Sequence, residues 1–183
     1  PATILDLGGG IGIPYIDGVK GVEFSEIHEI LRKIKSEFKW EKIWMELGRY
    51  AVGPYGSYFT QVIDKKTVRG VDQLILDGGV NHIVRPAITG EPFPVELVRE
   101  SEKEHQKFQI HGPLCTALDN LGTLSLPSDT GPGDWVAFHQ CGAYGFTEAM
   151  PFFLCHNLPA EVIMYDGNLM IPRTPSKAED WLV

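Results

Sequence analysis

The 183-residue chain is short of several things, and each shortage removes a class of function. No apolar run approaches the ~18 residues that a membrane-spanning helix needs. The N-terminal stretch has neither the basic region nor the apolar core of a signal peptide. Basic residues are few: 16 Lys and Arg stand against 24 Asp and Glu, giving a formal net charge of -8 and a pI near 5.2. They are also scattered, so the positive stripe that holds nucleic acid or an anionic membrane is missing. Cysteine is scarce and odd in number. Cys115, Cys141 and Cys155 show no CxxC spacing, which argues against a disulfide framework or zinc site and for a reducing, cytoplasmic compartment. The six histidines form no H-x-x-x-H or H-E-x-x-H, so no metal centre is expected. Neither G-x-G-x-x-G nor a GKS or GKT sequence occurs, which disfavours a dinucleotide fold or P-loop.

What remains is a globular composition large enough to bury a core of its own, with no repeat or low-complexity tract. PATILDLGGG reads as a buried strand ending in a glycine turn, because a parallel strand covered on both faces is continuously apolar. FSEIHEILRKIKSEFK follows as a helix, with Ser25 as N-cap and Ile27, Ile30, Leu31, Ile34 and Phe38 on one stripe. EKIWMELGRY then gives a second strand, so residues 1–50 predict one right-handed βαβ crossover. Both strands end in polar chemistry, at the carboxyl ends where α/β proteins bind ligands. After Tyr50 the texture changes to short β-rich runs, YFTQVID, VDQLILDGG, PVELVRES, KFQIHGPL, DWVAFHQCG and AEVIMYDG, separated by Gly, Pro and Asp turns. These predict a small antiparallel barrel or sandwich. SKAEDWLV is either a short terminal helix or a frayed tail. The expected fold class is α/β plus all-β, divided into residues 1–55 and 56–183.

Three stretches carry chemistry. In LDLGGGIGIPY, Gly8, Gly9 and Gly10 follow a strand, where glycine tolerates positive φ and offers unshielded N–H groups to a small anion. Alone, such a triplet is as often a plain turn. In MELGRY, Arg49 beside Gly48 offers a bidentate fork to phosphate, and Glu46 offers a carboxylate able to pair with a protonated pyridine nitrogen. An exposed Glu–Arg pair closing a strand is the plainer alternative. GPLCTALD places Cys115, Thr116 and Asp119 in a loop, although a lone cysteine is more often a small buried hydrophobe. Tyr144, between Gly142 and Gly145 at a sharp bend, has a hydroxyl for a ligand or for a core carbonyl. Cys141 and Cys155 are assigned to packing.

The succession LDLGGGIGIPY, MELGRY, ILDGGVNHIVRPA, GPLCTALD, GDWVAF, GAYG and LPAEV resembles the C-terminal half of the fold type III pyridoxal-phosphate decarboxylases, the ornithine and diaminopimelate decarboxylase group. It covers nearly the whole chain, and seven motifs in register are specific where one would be weak. The resemblance implies the closing βαβ of a TIM (β/α)8 barrel followed by a C-terminal antiparallel β domain. It implies pyridoxal 5'-phosphate as cofactor, with Gly8, Gly9 and Gly10 on its phosphate, Gly48 and Arg49 flanking it, Glu46 facing the pyridine nitrogen and Tyr144 completing the cradle. It also implies a homodimer with shared active sites, in which the Cys115 loop crosses to the partner and the thiol reprotonates the substrate carbon after carbon dioxide leaves. A thiol with an ordinary pKa near ~8.5 is a reasonable proton donor at neutral pH. A whole barrel needs roughly 250 residues. The lysine that holds the cofactor and the histidine that stacks on its ring are therefore expected outside these residues, and Lys20, Lys33 and Lys35 are no substitutes. The expectation is a catalytically incomplete fragment, or one piece of a split enzyme whose other barrel strands come from a separate chain or segment.

Departures from the family pattern bear on substrate. Leu47 replaces the proline of the family's Glu-Pro-Gly-Arg, a mild change. Thr116 stands where enzymes acting on diamine-type substrates carry Asp or Glu to pair with the distal ammonium. Asp119 matches a later acidic position, Arg85 matches an arginine that meets a distal carboxylate in diaminopimelate-type enzymes, and Thr89 stands where those have tyrosine. Arg85, Thr116 and Asp119 are thus expected to bind substrate, an amino acid with a polar or carboxylate-bearing tail, free or carrier-tethered, rather than ornithine. The alternatives are a non-catalytic regulatory homologue and a racemase of the same fold type. Retention of Cys115, Arg49, Glu46 and Tyr144 argues against the first, and the GPLC and GAYG loops argue against the second.

Overall fold

A computed structural model describes residues 2–16 and 18–181. Strands β1 (Ile4–Asp6) and β2 (Lys42–Trp44) run parallel with Leu5 opposite Ile43, and helix α1 (Phe24–Glu37) connects them. The stripe on α1 is real but only partly covered: Ile27, Leu31 and Ile34 are half-buried, whereas Ile30 and Phe38 are 60% and 63% exposed. Two local expectations are corrected here. Glu23 rather than Ser25 occupies the N-cap, with no side-chain cap bond, and Ser25 lies inside the first turn. β1 is not buried, since Ile4 is 40% exposed. The second strand is also shorter than MELGRY implied. It stops at Trp44, because the Glu46 N–H is drawn to the Gly8 carbonyl (2.8 Å) and the chain then coils into α2 (Gly48–Val52), closed by the Ala51 N–H on Leu47 O at 2.9 Å.

The rest builds one six-stranded sheet. Strands β3 (Ser57–Val68), β4 (Val71–Leu76), β5 (Val95–Leu97), β6 (His105–His111), β7 (Asn120–Pro127) and β8 (Trp135–His139) lie in the order β5-β8-β3-β4-β6-β7. The purely antiparallel expectation fails at one pair. β4 and β6 run parallel, with Leu74 opposite Ile110, because the long intervening segment contains α3 (Arg85–Thr89) and sends β5 to the far side of β8. The twelve-residue β3 is the spine: Ser57–Gln61 pair with β8 and Val62–Val68 with β4, with a register shift between Val62 and Asp64. Such a shift bends a strand and increases its twist. The edge strands β5 and β7 consequently approach each other and the sheet is nearly closed. β3 passes into β4 through a two-residue turn in which Arg69 (φ 53) and Gly70 (φ 79) are both left-handed, the conformation that matches strand twist.

Alternation fills the interior. Val62, Leu74, Leu76, Phe108, Ile110, Leu121, Leu126, Val136 and Phe138 are each 0–1% exposed. Sequence periodicity missed β7 for a visible reason: Leu121, Leu124 and Leu126 all face inward, and the odd first spacing is absorbed at Gly122, φ 101, beside a register shift. A hairpin of β9 (Glu161–Tyr165) and β10 (Asn168–Arg173) leaves Met164, Tyr165 and Leu169 66–79% exposed. Cys155, assigned to packing from sequence, is exposed in a 3-10 turn, where its own positive φ of 56 turns it outward. At the C-terminus Ala178–Trp181 forms a short 3-10 helix, and the last two residues of that expectation lie outside the described ones.

One half-buried pair makes stability depend on pH. The His82 Nε2 faces the Asn157 carbonyl at 3.1 Å, so it carries the proton, and Nδ1 accepts from the Tyr58 hydroxyl at 2.8 Å. Burial lowers the His82 pKa below the ordinary histidine value, with His156 and Arg173 adding to it and Asn157 and Asp77 opposing, and burial likewise raises the phenol of Tyr58. Because the unfolded chain takes up a proton that the folded one refuses, this contribution is present above about pH 6.5 and is lost as pH falls. The denaturation midpoint is expected to drop from about pH 7 to about pH 5, with His82→Gln flattening that slope. An unchanged slope in His82→Gln would show that other groups control it.

Candidate active site

The glycine turn is stitched to the segment after β2. Leu7 N–H donates to Trp44 O at 3.0 Å, Glu46 N–H to Gly8 O at 2.8 Å, and Gly8 N–H to Asp6 Oδ1 at 2.8 Å. Gly8 and Gly10 have φ of 67 and 93, and a Cβ on Gly9 would lie 2.6 Å from the Glu46 carbonyl oxygen, so side chains are barred from the turn. The Glu46 side chain is exposed at the same mouth.

Arg49, the second residue of α2, is half-buried and packs on the chain that leaves this turn. Its Cζ lies 5.9 Å from the Tyr15 ring centroid, and its stem and Ile13 crowd the same glycine, Gly53. Its Cζ is also 5.7 Å from the Tyr144 ring, and Arg85, at the start of α3, places its own Cζ 5.2 Å from that ring. Tyr144 therefore carries a guanidinium from each of two distant segments, within cation–π range of both. It does so from a left-handed backbone, φ 56, a conformation unfavourable for a bulky residue and concentrated at functional sites. Arg85 Nη1 is 3.6 Å from Glu148 Oε2. A cavity of about 280 Å³ opens beside the pair, lined by Ile13, Tyr15, Arg49, Arg85 and Phe93 among others. Two buried polar atoms in its walls, the Tyr15 hydroxyl and Arg49 Nε, have no hydrogen-bond partner among the described residues.

The Cys115 loop stands apart from this cavity, between β6 and β7. Cys115 is exposed rather than buried as a typical lone cysteine. Thr116 is half-buried, and its Oγ1 accepts the Leu118 N–H at 3.2 Å. Asp119 departs from its expected part in substrate binding. It is 2% exposed, and its two oxygens accept the N–H groups of Val80 (2.8 Å) and Leu114 (2.7 Å), so its charge is turned into the chain itself. Thr89 ends α3, donating its hydroxyl to Arg85 O at 3.0 Å. Cys141 keeps its packing assignment: it is half-buried, its thiol donates to the Phe138 carbonyl, and burial pushes its pKa up to about 12.

Residues 24–142 match the model of a family described as pyridoxal-dependent decarboxylase, C-terminal sheet domain. The chain belongs to that family. Among curated proteins, this family member is 31% identical over 189 residues to L-glutamyl-[BtrI acyl-carrier protein] decarboxylase of Niallia circulans, covering 96% of the chain and 44% of that protein. It is 29% identical to 2-[(L-alanin-3-ylcarbamoyl)methyl]-2-hydroxybutanedioate decarboxylase of Staphylococcus aureus, covering 87% and 42%. Among solved structures, diaminopimelate decarboxylase from Helicobacter pylori complexed with L-lysine superposes with a TM-score of 0.83 at 26% identity, covering 97% of this chain and 43% of that one. The chain thus spans less than half the length of these relatives. The family's pyridoxal dependence fits the residues present, since a side-chain-free glycine turn, a half-buried arginine with an orphaned Nε and a second arginine suit an anionic ligand. Sequence reading missed Tyr15, Phe93 and Glu148 in this candidate site. The tyrosine five residues beyond Gly10 was the one visible signal, while Phe93 and Glu148 are brought in by tertiary folding alone.

Proposed function

We propose that the chain is the C-terminal portion of a pyridoxal-phosphate-dependent amino-acid decarboxylase, with residues 1–55 closing a cofactor-binding barrel and residues 56–183 forming its sheet domain. The observation that carries this reading is the pair of guanidinium groups of Arg49 and Arg85 on one Tyr144 ring beside a cavity with orphaned polar atoms. The turn of Gly8, Gly9 and Gly10, with Gly48 and Arg49, holds the cofactor phosphate, and Glu46 faces its ring nitrogen. When bound, pyridoxal phosphate supplies an electron sink for the pair of electrons left as carbon dioxide departs. Arg85 binds the far carboxylate of the substrate, replacing Glu148 as its partner, and Thr116 lines the tail without a charge. Cys115 acts from the partner subunit of a homodimer, donating its Sγ proton to the substrate carbon and recovering one from water. A separate chain or segment supplies the remaining barrel and the cofactor lysine, and the protein works in the cytoplasm.

The tail is assigned from charge. Arg85, and a threonine where an acid would meet a distal ammonium, favour a carboxylate-bearing substrate, free or as a glutamyl group on a carrier. The test is carbon dioxide release by the full-length protein from diaminopimelate, a glutamyl carrier thioester and ornithine. Preferred turnover of ornithine would defeat the substrate reading, and no release from any of them would defeat the decarboxylase reading. Arg85→Met is expected to raise the KM for the carboxylate-tailed substrate by about 10- to 100-fold while kcat stays within about twofold, the effect of losing one charge-assisted contact.

A further inference from the structure

The geometry points to Asp119 as a positioning residue, a buried carboxylate that fixes both the loop bearing Cys115 and the segment leading to Arg85. Only the catalytic purpose of that loop rests on the decarboxylase reading; the anchoring does not. The loop leaves β6 at His111 and re-enters the sheet at Asn120, and Asp119 closes it. Oδ2 takes the Leu114 N–H at 2.7 Å, one residue before the cysteine, and the Asp119 carbonyl takes the Gly112 N–H at 3.3 Å. Inside the loop Thr116 N–H donates to Leu114 O at 2.8 Å and Asp119 N–H to Thr116 O at 3.1 Å. The base of the loop is therefore rigid while the thiol at its tip stays exposed.

The other oxygen reaches a different part of the chain. Oδ1 takes the Val80 N–H at 2.8 Å, in the segment that runs from β4 to α3. That segment is itself locked: Gly79 N–H donates to Asn81 Oδ1 at 2.9 Å, and Ile83 N–H to Gly79 O at 2.9 Å, two residues before Arg85. Two glycines make room for the carboxylate. A Cβ on either Gly79 or Gly112 would overlap it, and a Cβ on Gly79 would also lie 2.6 Å from the Gly112 Cα. Burying a carboxylate is costly unless it is fully hydrogen-bonded, and this one faces backbone donors from two segments. In a dimer with shared sites, one Asp119 thus sets the proton donor of the partner's site and the tail-binding arginine of its own.

The experiment uses the full-length holoenzyme, unsubstituted and as Asp119→Asn, where an amide nitrogen must now face a backbone donor. Hydrogen exchange in the unsubstituted enzyme is expected to show the Leu114 and Val80 amides protected although Cys115 is exposed. In Asp119→Asn both should exchange at least about tenfold faster, with kcat down about tenfold or more from the loosened Cys115 loop, KM for the carboxylate-tailed substrate up about threefold or more from the loosened Arg85 segment, and cofactor absorbance unchanged. A variant that loses thermal stability but keeps kcat per folded molecule would overturn the proposal. So would free exchange of Leu114 in the unsubstituted enzyme, a result that stands even if the variant does not fold. Absence of carbon dioxide release from the unsubstituted enzyme would sink the decarboxylase reading instead, with exchange still deciding the anchoring.

Discussion

Replacing Cys115 by alanine in the full-length holoenzyme is expected to lower kcat by about 10²- to 10⁴-fold, the range of a lost general acid. The thiol is exposed at the tip of a loop braced at Leu114 and Asp119, so the substitution removes the proposed proton donor without opening the core. KM and cofactor absorbance should therefore change little, because the glycine turn and Arg49 proposed to hold the cofactor lie in other elements. Cys115→Ser should stay almost as slow, since an alcohol is a far weaker acid than a thiol. Mixing subunits gives the sharper result. Unfolded and reassociated Cys115→Ala and Arg49→Ala enzymes, each inactive, should regain about a quarter of full activity, because half of the dimers are mixed and one of their two sites is intact. No recovery on mixing would place the thiol and the arginine in the same subunit's site and end the shared-site proposal.

Phe108→Ala is expected to cost about 3–5 kcal/mol of stability, a large share of what a domain of this size possesses. Its ring is fully buried in β6, and Lys65 Nζ sits 4.9 Å above its centroid while donating to the Ser128 and Thr130 carbonyls at 3.0 and 2.9 Å. Truncation leaves a cavity and strips the ammonium of its aromatic face at once. Thr123→Ala, on the outward side of β7, should stay within about 0.5 kcal/mol in the same urea titration. Similar losses for the two would mean that the sheet's inner face is not what holds it together.

Where period-two alternation runs undisturbed, as in β4 and β6, the strands were legible from sequence. β7 was not, because a left-handed glycine lets residues three apart share a face. The helix in MELGRY was missed because the pull of Gly8 on the Glu46 amide, a contact across two segments, ends the strand. Candidate site residues divide in the same way. Arg49 and the glycines advertise themselves by type and neighbour, and Arg85 by its motif. Asp119 was misread because an acid in a loop is ordinarily solvated or ligand-facing, and only the approach of Gly79 to Gly112 makes a place for it inside. Tyr144 was legible as a residue, but its position between two cations is a product of the fold.

The tight turn at Arg69 and Gly70 has a practical corollary. Both residues and their flanking positions are exposed, and the strands on either side are registered by their own ladders as far as Val68 opposite Val71. A short epitope or fluorophore-bearing insert grafted there would extend a hairpin tip rather than interrupt a ladder, which makes this tip a natural handle for labelling the protein without disturbing its chemistry.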